Sequence, residues 1–227
     1  MKVLVIGGSK GIGKACTEML LEQGAEVIVA ARSNAEISHL PVEFLEMDVL
    51  ADVSDIEDLG ELNGLIYCPG SINLRPFNRL TEEDYLNDFQ LNVIGATKCI
   101  NAALKGLKAG NGSVVLFSTV AVQQGMAFHA SVAASKGALE GLTRSLAAEF
   151  APSVRVNCIA PSLTDTPLAE ALLNNDKKRE ASEQRHPLKR VGKPEDIASM
   201  AVHLVSENAS WISGQVISID GGMSRLR

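Results

Sequence analysis

The hydrophobic pattern along the chain switches repeatedly between two periods. "VLVIGG" (3–8) is a short, continuous apolar and β-branched run ending in glycine. "KACTEMLLEQG" (14–24) follows with apolar residues at helical spacing and a glycine stop at Gly24. This predicts strand, turn and helix. The unit then recurs: "AEVIVAA" and "VEFLEM" read as strands, "DVSDIEDLG" as a short helix, "NGLIYC" as a strand, and residues 81–108 as one long helix. Next come "GSVVLFS", a helix over roughly 126–150 that holds Lys136, "SVRVNCIAP", a helix after Pro194, and "GQVISID". Strands that are apolar throughout and alternate with helices imply an α/β fold, a parallel sheet covered on both faces.

A chain of 227 residues, 46% hydrophobic, buries one sizeable core, and no linker or repeat divides it, so residues 1–227 are expected to form a single domain. The composition shifts once, at "NNDKKREASEQRHPLKR" (174–190). This reads either as a solvated helix and loop or as part of a lid, at about 167–190, over a substrate cleft. The net charge of −6 argues against nucleic acid and membrane surfaces as partners, since both are polyanionic. The basic cluster Lys177, Lys178, Arg179, Arg185, Lys189 and Arg190 is interrupted by acids and lacks aromatics, which weakens a nucleic-acid reading further. Four scattered cysteines suggest neither a disulfide framework nor a metal site. The opening apolar run is too short for a signal segment or membrane span, so the expectation is a reduced, cytoplasmic protein.

Candidate chemistry begins at the first strand-to-helix turn. "GGSKGIG" places Gly7, Gly11 and Gly13, with Ser9, Lys10 and Ile12 between them, where bare backbone N–H groups can approach a pyrophosphate at a helix N-terminus. At the end of the second strand, Ala31 stands where an NAD-selective site needs a carboxylate, and Arg32 and Ser33 follow. Arg32, helped by Lys10, can pair with a 2′-phosphate, so the expected cofactor is NADP(H). Asp48, with Val49 beside it, is placed either to accept from an adenine amino group or to cap a helix.

Together these segments resemble the short-chain dehydrogenase/reductase family along the whole chain. "GGSKGIG" is similar to its T-G-x-x-x-G-x-G, "DV" at Asp48 to its adenine contact, and "YCPG", with Cys68, Pro69 and Gly70, occupies the place of its N-N-A-G. "APSLTDTP", with Pro161, Thr164 and Thr166, resembles its P-G-x-x-x-T, and "GKPEDIA" and "SGQVISIDGG" resemble its C-terminal signature. The resemblance implies a Rossmann-type doubly wound sheet of about seven strands, a nicotinamide cofactor, hydride transfer involving a small carbonyl or activated alkene, and commonly a homodimer or homotetramer.

The family's catalytic set is Asn, Ser, Tyr and Lys. Carried over by position, Asn92 and Lys136 agree, and the serine position falls on Thr119 with Ser118 as an alternative donor. Lys136 is implied both to hold the nicotinamide ribose and to serve catalysis. The tyrosine position is Val132, which has no proton to give. Losing a positioned acid removes a factor of about 10² to 10⁴. Of the substitutes, His129 lies about 20° from the Lys136 stripe on an ideal helix, whereas Ser131 points about 140° away. His129 is therefore the candidate donor, with a plain helix-start residue as its alternative. The expected activity is NADP(H)-dependent hydride transfer to or from a small carbonyl or α,β-unsaturated substrate. The alternative is a catalytically silent nucleotide-binding protein on the same fold.

Overall fold

The structure, a computed structural model, describes residues 1–226. Seven strands form one parallel sheet: β1 (Lys2–Ile6), β2 (Glu26–Ala31), β3 (Glu43–Glu46), β4 (Gly64–Tyr67), β5 (Ser113–Phe117), β6 (Arg155–Pro161) and β7 (Val216–Ile219). Their order is β3-β2-β1-β4-β5-β6-β7. Every registered pair is parallel, from Lys2 opposite Glu26 at one side of β1 to Pro161 opposite Ile219 at the far edge. The continuous apolar runs have the predicted cause, since β1, β4 and β5 are buried almost without a break.

Among the described residues there are eight α-helices: α1 (Gly11–Glu22), α2 (Glu82–Phe89), α3 (Gly95–Ala109), α4 (Ala121–Gln124), α5 (Ala130–Phe150), α6 (Glu170–Leu173), α7 (Asp176–Arg185) and α8 (Pro194–Val205). Two apolar clusters result, one on each face. Cys16 and Leu20 of α1 meet Ile197 and Ala201 of α8 on one side. Cys99 and Leu107 of α3 meet Leu139 and Phe150 of α5 on the other. The doubly wound fold expected from the pattern is therefore present.

Three predicted elements differ in detail. The long helix over 81–108 starts at a Thr81–Asp84 capping box but is interrupted by a π-helical turn, Gln90–Ile94, between α2 and α3. The buried Tyr67 hydroxyl donates to Leu91 O within that turn (2.7 Å). "DVSDIEDLG" forms only a 3-10 turn, Ser54–Ile56. The Lys136 helix begins at Ala130, not near 126, because Gly125 and Phe128 take positive φ angles of 67° and 69° that no α-helix accommodates.

The strand order reverses direction at the β1–β4 boundary, and the carboxyl ends there open a crevice in which open α/β sheets bind ligands.

Candidate active site

Backbone alone shapes the nucleotide end of the crevice. Gly7, directly after β1, has φ 73°, and a Cβ on it would press on Pro69 at 3.1–3.3 Å. A Cβ on Gly13 would collide with Gly7 O and sit 2.9 Å from Gly7 C, so α1 can pack against the turn only with glycine there. A Cβ on Gly11, at φ 51°, would stand 3.4 Å from the Thr166 side chain, which places the loop after β6 over the glycine turn. Ser9 is buried, while Ile12 at the helix start lines the adjoining cavity. This cradle fits a dinucleotide pyrophosphate, which needs close backbone approach and a helix N-terminus.

At the end of β2, Ala31 is buried and Arg32 and Ser33 are exposed; the Ser33 hydroxyl accepts from Ala35 N (3.3 Å). Lys10 is also exposed, but its ammonium lies 3.3 Å from a Glu36 carboxylate, a surface pair that partly offsets its charge. Arg32 is thus the freer of the two predicted cations. Asp48 Oδ1 accepts from Leu50 N (2.9 Å), a local turn and not the helix cap weighed from sequence. Beside it, Val49 is buried. Cys68 and Gly70 line the crevice after β4, with Pro69 between them against Gly7; a contact with Cys16, together with burial, holds the Cys68 thiol well above its ordinary range.

The chemical end is a cavity of about 1070 Å³ that includes Gly70, Thr119, Val132, Lys136 and Pro161 in its walls. Lys136, on α5, is buried, and its ammonium donates to Phe117 O at the end of β5 (2.8 Å). Burial pushes its pKa down to about 8. A Cβ on Gly70 would stand 3.2 Å from Lys136 Nζ and 3.4 Å from Asn92 Oδ1, so glycine leaves a shared space between the two.

Asn92 lies in the π-helical turn, fully buried. Its amide nitrogen donates to Asp88 O (2.8 Å), Ser71 Oγ (3.2 Å) and Ser135 Oγ (3.3 Å). Its Oδ1 has no partner. Leaving a buried acceptor unsatisfied costs about 1–3 kcal/mol, so an oxygen held this way next to a buried ammonium fits a bound hydroxyl donor such as a ribose.

Behind Asn92 lies a cluster that sequence reasoning missed. The buried Asp88 carboxylate accepts short hydrogen bonds from Ser71 and Ser131. Ser131 points away from Lys136, as the helical angle predicts, and into this cluster. The available signal was Asp88 itself, one helical turn before Asn92.

The remaining candidates divide. Thr119 borders the cavity, half-buried, and its hydroxyl accepts from Ala121 N (3.3 Å). Ser118 borders the cavity too, but its hydroxyl donates to the buried Glu140 carboxylate (2.8 Å). His129 is the N-cap of α5, outside the helix at φ −100°, so the ideal-helix stripe does not describe it. Its ring still borders the cavity, with Nδ1 2.7 Å from Ala127 O, which favours Nδ1–H and leaves Nε2 free. Thr164 is buried, donates to Ser162 O (3.0 Å) and forms a parallel bridge with Gly192 that closes the base of the 165–191 excursion. Neither of the two tyrosines, Tyr67 and Tyr85, lines the cavity. No helix among the described residues is long and apolar enough to cross a membrane.

A glycine cradle at the switch point of a parallel sheet, opening onto a buried lysine and asparagine, defines a nucleotide-binding α/β oxidoreductase. The chain belongs to the short-chain dehydrogenase/reductase family, and the family model described as enoyl-(acyl carrier protein) reductase matches residues 7–224. It is 35% identical to a tropinone reductase homologue of Arabidopsis thaliana over 99% of this chain and 90% of that one. Among solved structures, the ligand-free aldohexose dehydrogenase of Thermoplasma acidophilum superposes with a TM-score of 0.91 at 27% identity, covering 100% of this chain and 94% of its own. ElxO with NADP bound gives 0.89 at 25% identity over 98% of both chains.

Proposed function

We propose that the protein is an NADP(H)-dependent oxidoreductase that reduces or forms a small carbonyl or α,β-unsaturated compound, with no tyrosine at the position where its family carries one. The observation that carries this reading is the placement of Lys136 and Thr119 in one cavity beside the glycine cradle, with the aliphatic Val132 in its wall and the orphaned Asn92 oxygen buried behind Gly70. When bound, the nicotinamide supplies or accepts the hydride. Gly7, Gly11 and Gly13 would hold the pyrophosphate, Lys136 and Asn92 Oδ1 the ribose hydroxyls, and Arg32 the 2′-phosphate. The NADP-bound ElxO structure supports the same cofactor.

Thr119 Oγ1 can donate to a substrate oxygen, and the Lys136 ammonium lowers the cost of negative charge developing there. The cavity holds no phenol, and the donors this reading leaves are the His129 side chain, whose Nε2 is unengaged, and water. This favours conjugated alkenes over simple ketones, because an enolate tolerates later protonation. The family model's description points the same way. The segment over 167–190 serves as a lid, and the protein works in the cytoplasm as a homodimer or homotetramer through α3 and α5, whose neighbourhood exposes Leu86, Phe89 and Ile94.

The test is NADPH oxidation against matched ketone and enoyl-thioester panels. Turnover of enoyl thioesters well above ketones supports the reading. NADPH binding with no turnover of either would favour a silent nucleotide-binding protein.

A further inference from the structure

The reactive cavity contains no carboxylate. None of the residues in its wall is Asp or Glu, in a chain of net charge −6, while Lys136, Lys178, Arg185 and His129 all border it. Two of these cations come from α7, the most polar helix of the chain. On that helix Lys178, Ala181, Ser182 and Arg185 border the cavity, and at about 100° per residue they form one stripe. The three acids of α7, Asp176, Glu180 and Glu183, lie about 140–160° from Lys178, on the opposite side. The helix therefore sorts its charges, with Lys178, Arg185 and the small residues inward and all three carboxylates outward.

The two inward cations differ in availability. Lys178 Nζ donates to Ala171 O (2.9 Å) and Asn174 Oδ1 (3.0 Å). Arg185 enters none of the ion pairs or side-chain hydrogen bonds among the described residues, whereas Arg179 and Arg190 are paired with Asp165 and Asp196. The end of α7 that presents Arg185 is fixed from behind. The next residue, His186, is buried, with Nδ1 2.8 Å from Ser182 O and Nε2 2.8 Å from Ser162 Oγ. Elsewhere the wall mixes hydroxyl and apolar side chains, and the apolar Ile72, Phe128 and Leu168 in it remain exposed. Phe128 holds a left-handed φ of 69°, a conformation a bulky residue keeps only where its surroundings impose it.

We propose that the substrate of this cavity is amphiphilic: an apolar body that covers Ile72, Phe128 and Leu168, ending in an anionic group, carboxylate or phosphate, that the Arg185 guanidinium receives. An unpaired guanidinium matches either oxyanion bidentately, and an acid-free wall imposes no like-charge cost on it. The proposal rests on the reading of this cavity as the reactive site, yet it concerns recognition and can be tested apart from turnover.

Calorimetric titration of octanoate, octyl phosphate and octan-1-ol into the protein, alone and with NADP⁺, separates the alternatives. Either anion should bind at least about tenfold tighter than the alcohol, a difference of about 1.4 kcal/mol. Whichever of the two binds more tightly identifies the oxyanion. Arg185→Gln should erase the advantage and Arg185→Lys retain part of it, while Lys177→Gln, on the outer side of the same helix, should leave it intact. Equal binding of alcohol and anions, or equal loss in Lys177→Gln and Arg185→Gln, overturns the proposal. An absence of NADPH oxidation with every oxo and enoyl compound would instead remove the oxidoreductase reading and leave the anion preference standing.

Discussion

The two ends of the crevice are built by opposite means. The nucleotide end, from β1 to β3, is shaped by what is missing: Gly7, Gly11 and Gly13 have no side chains to obstruct the backbone, and one short segment supplies nearly all of the cradle. The chemical end is shaped by side chains from segments far apart in sequence. Ser71 follows β4, Asp88 and Asn92 come from α2 and the π-helical turn, and Ser131, Ser135 and Lys136 come from α5. A cradle of backbone tolerates change everywhere except at its glycines. A network of hydroxyls and one carboxylate spreads its sensitivity over many positions, and it leaves Asn92 Oδ1 without a partner while Lys136 borders the cavity.

The sharpest break of this contrast is Gly13→Val. Its Cβ meets only backbone, Gly7 O and C and Gly8 Cα, so no side chain can yield. Overpacking of this kind costs about 3 kcal/mol or more, and the melting temperature should fall by about 6–12 °C with NADPH binding abolished, as calorimetry and fluorescence titration would show. At the chemical end, Lys136→Met should reduce turnover by about 10² or more. The native rate should itself decline above about pH 8, where the buried ammonium loses its proton; a flat profile from pH 7 to 9 would separate catalysis from its charge.

Asp88→Asn probes the hidden network. It withdraws one acceptor from the two serines, so stability should drop by about 1–3 kcal/mol. Turnover should fall about tenfold through loosened Asn92, in steady-state kinetics, with a smaller loss of NADPH affinity, because the ribose contact weakens while the glycine cradle is untouched. The smallest effect belongs to Arg32→Ala, which should cut the preference for NADPH over NADH by about tenfold, or 1.4 kcal/mol, in paired titrations. Since Lys10 is already paired with Glu36, Lys10→Ala should change that preference less.

The same contrast explains what the sequence made legible. Strands buried on both faces write themselves as unbroken apolar runs, and a glycine turn between strand and helix is a local signal, so the sheet, its two covering layers and the glycine turn could be read directly. The π-helical turn could not, because residues 81–108 keep helical spacing on both sides of it and the interruption is tied to Tyr67 on a distant strand. His129 was placed by extrapolating an ideal helix through Phe128, whose positive φ starts the helix later. Ser118 and Thr119 were indistinguishable as neighbouring hydroxyls until Glu140, more than 20 residues away, engaged one of them. Asp88 belongs to none of the sequence motifs; its carboxylate is engaged by Ser71 and Ser131, which no local pattern connects to it.

The central claim is that the site lacks only a phenol at position 132, with the other groups already arranged. Val132 borders the cavity one turn before Lys136, where a phenol would meet the ammonium and have its pKa lowered toward the working pH. The direct measurement is NADPH-dependent ketone reduction by native protein and by Val132→Tyr across pH 6 to 9. The account predicts slow native turnover and a gain of about tenfold or more in the variant, with the gain fading above about pH 8 as Lys136 discharges. Brisk ketone reduction by the native protein, with no gain in a Val132→Tyr variant that still binds NADPH, would contradict it.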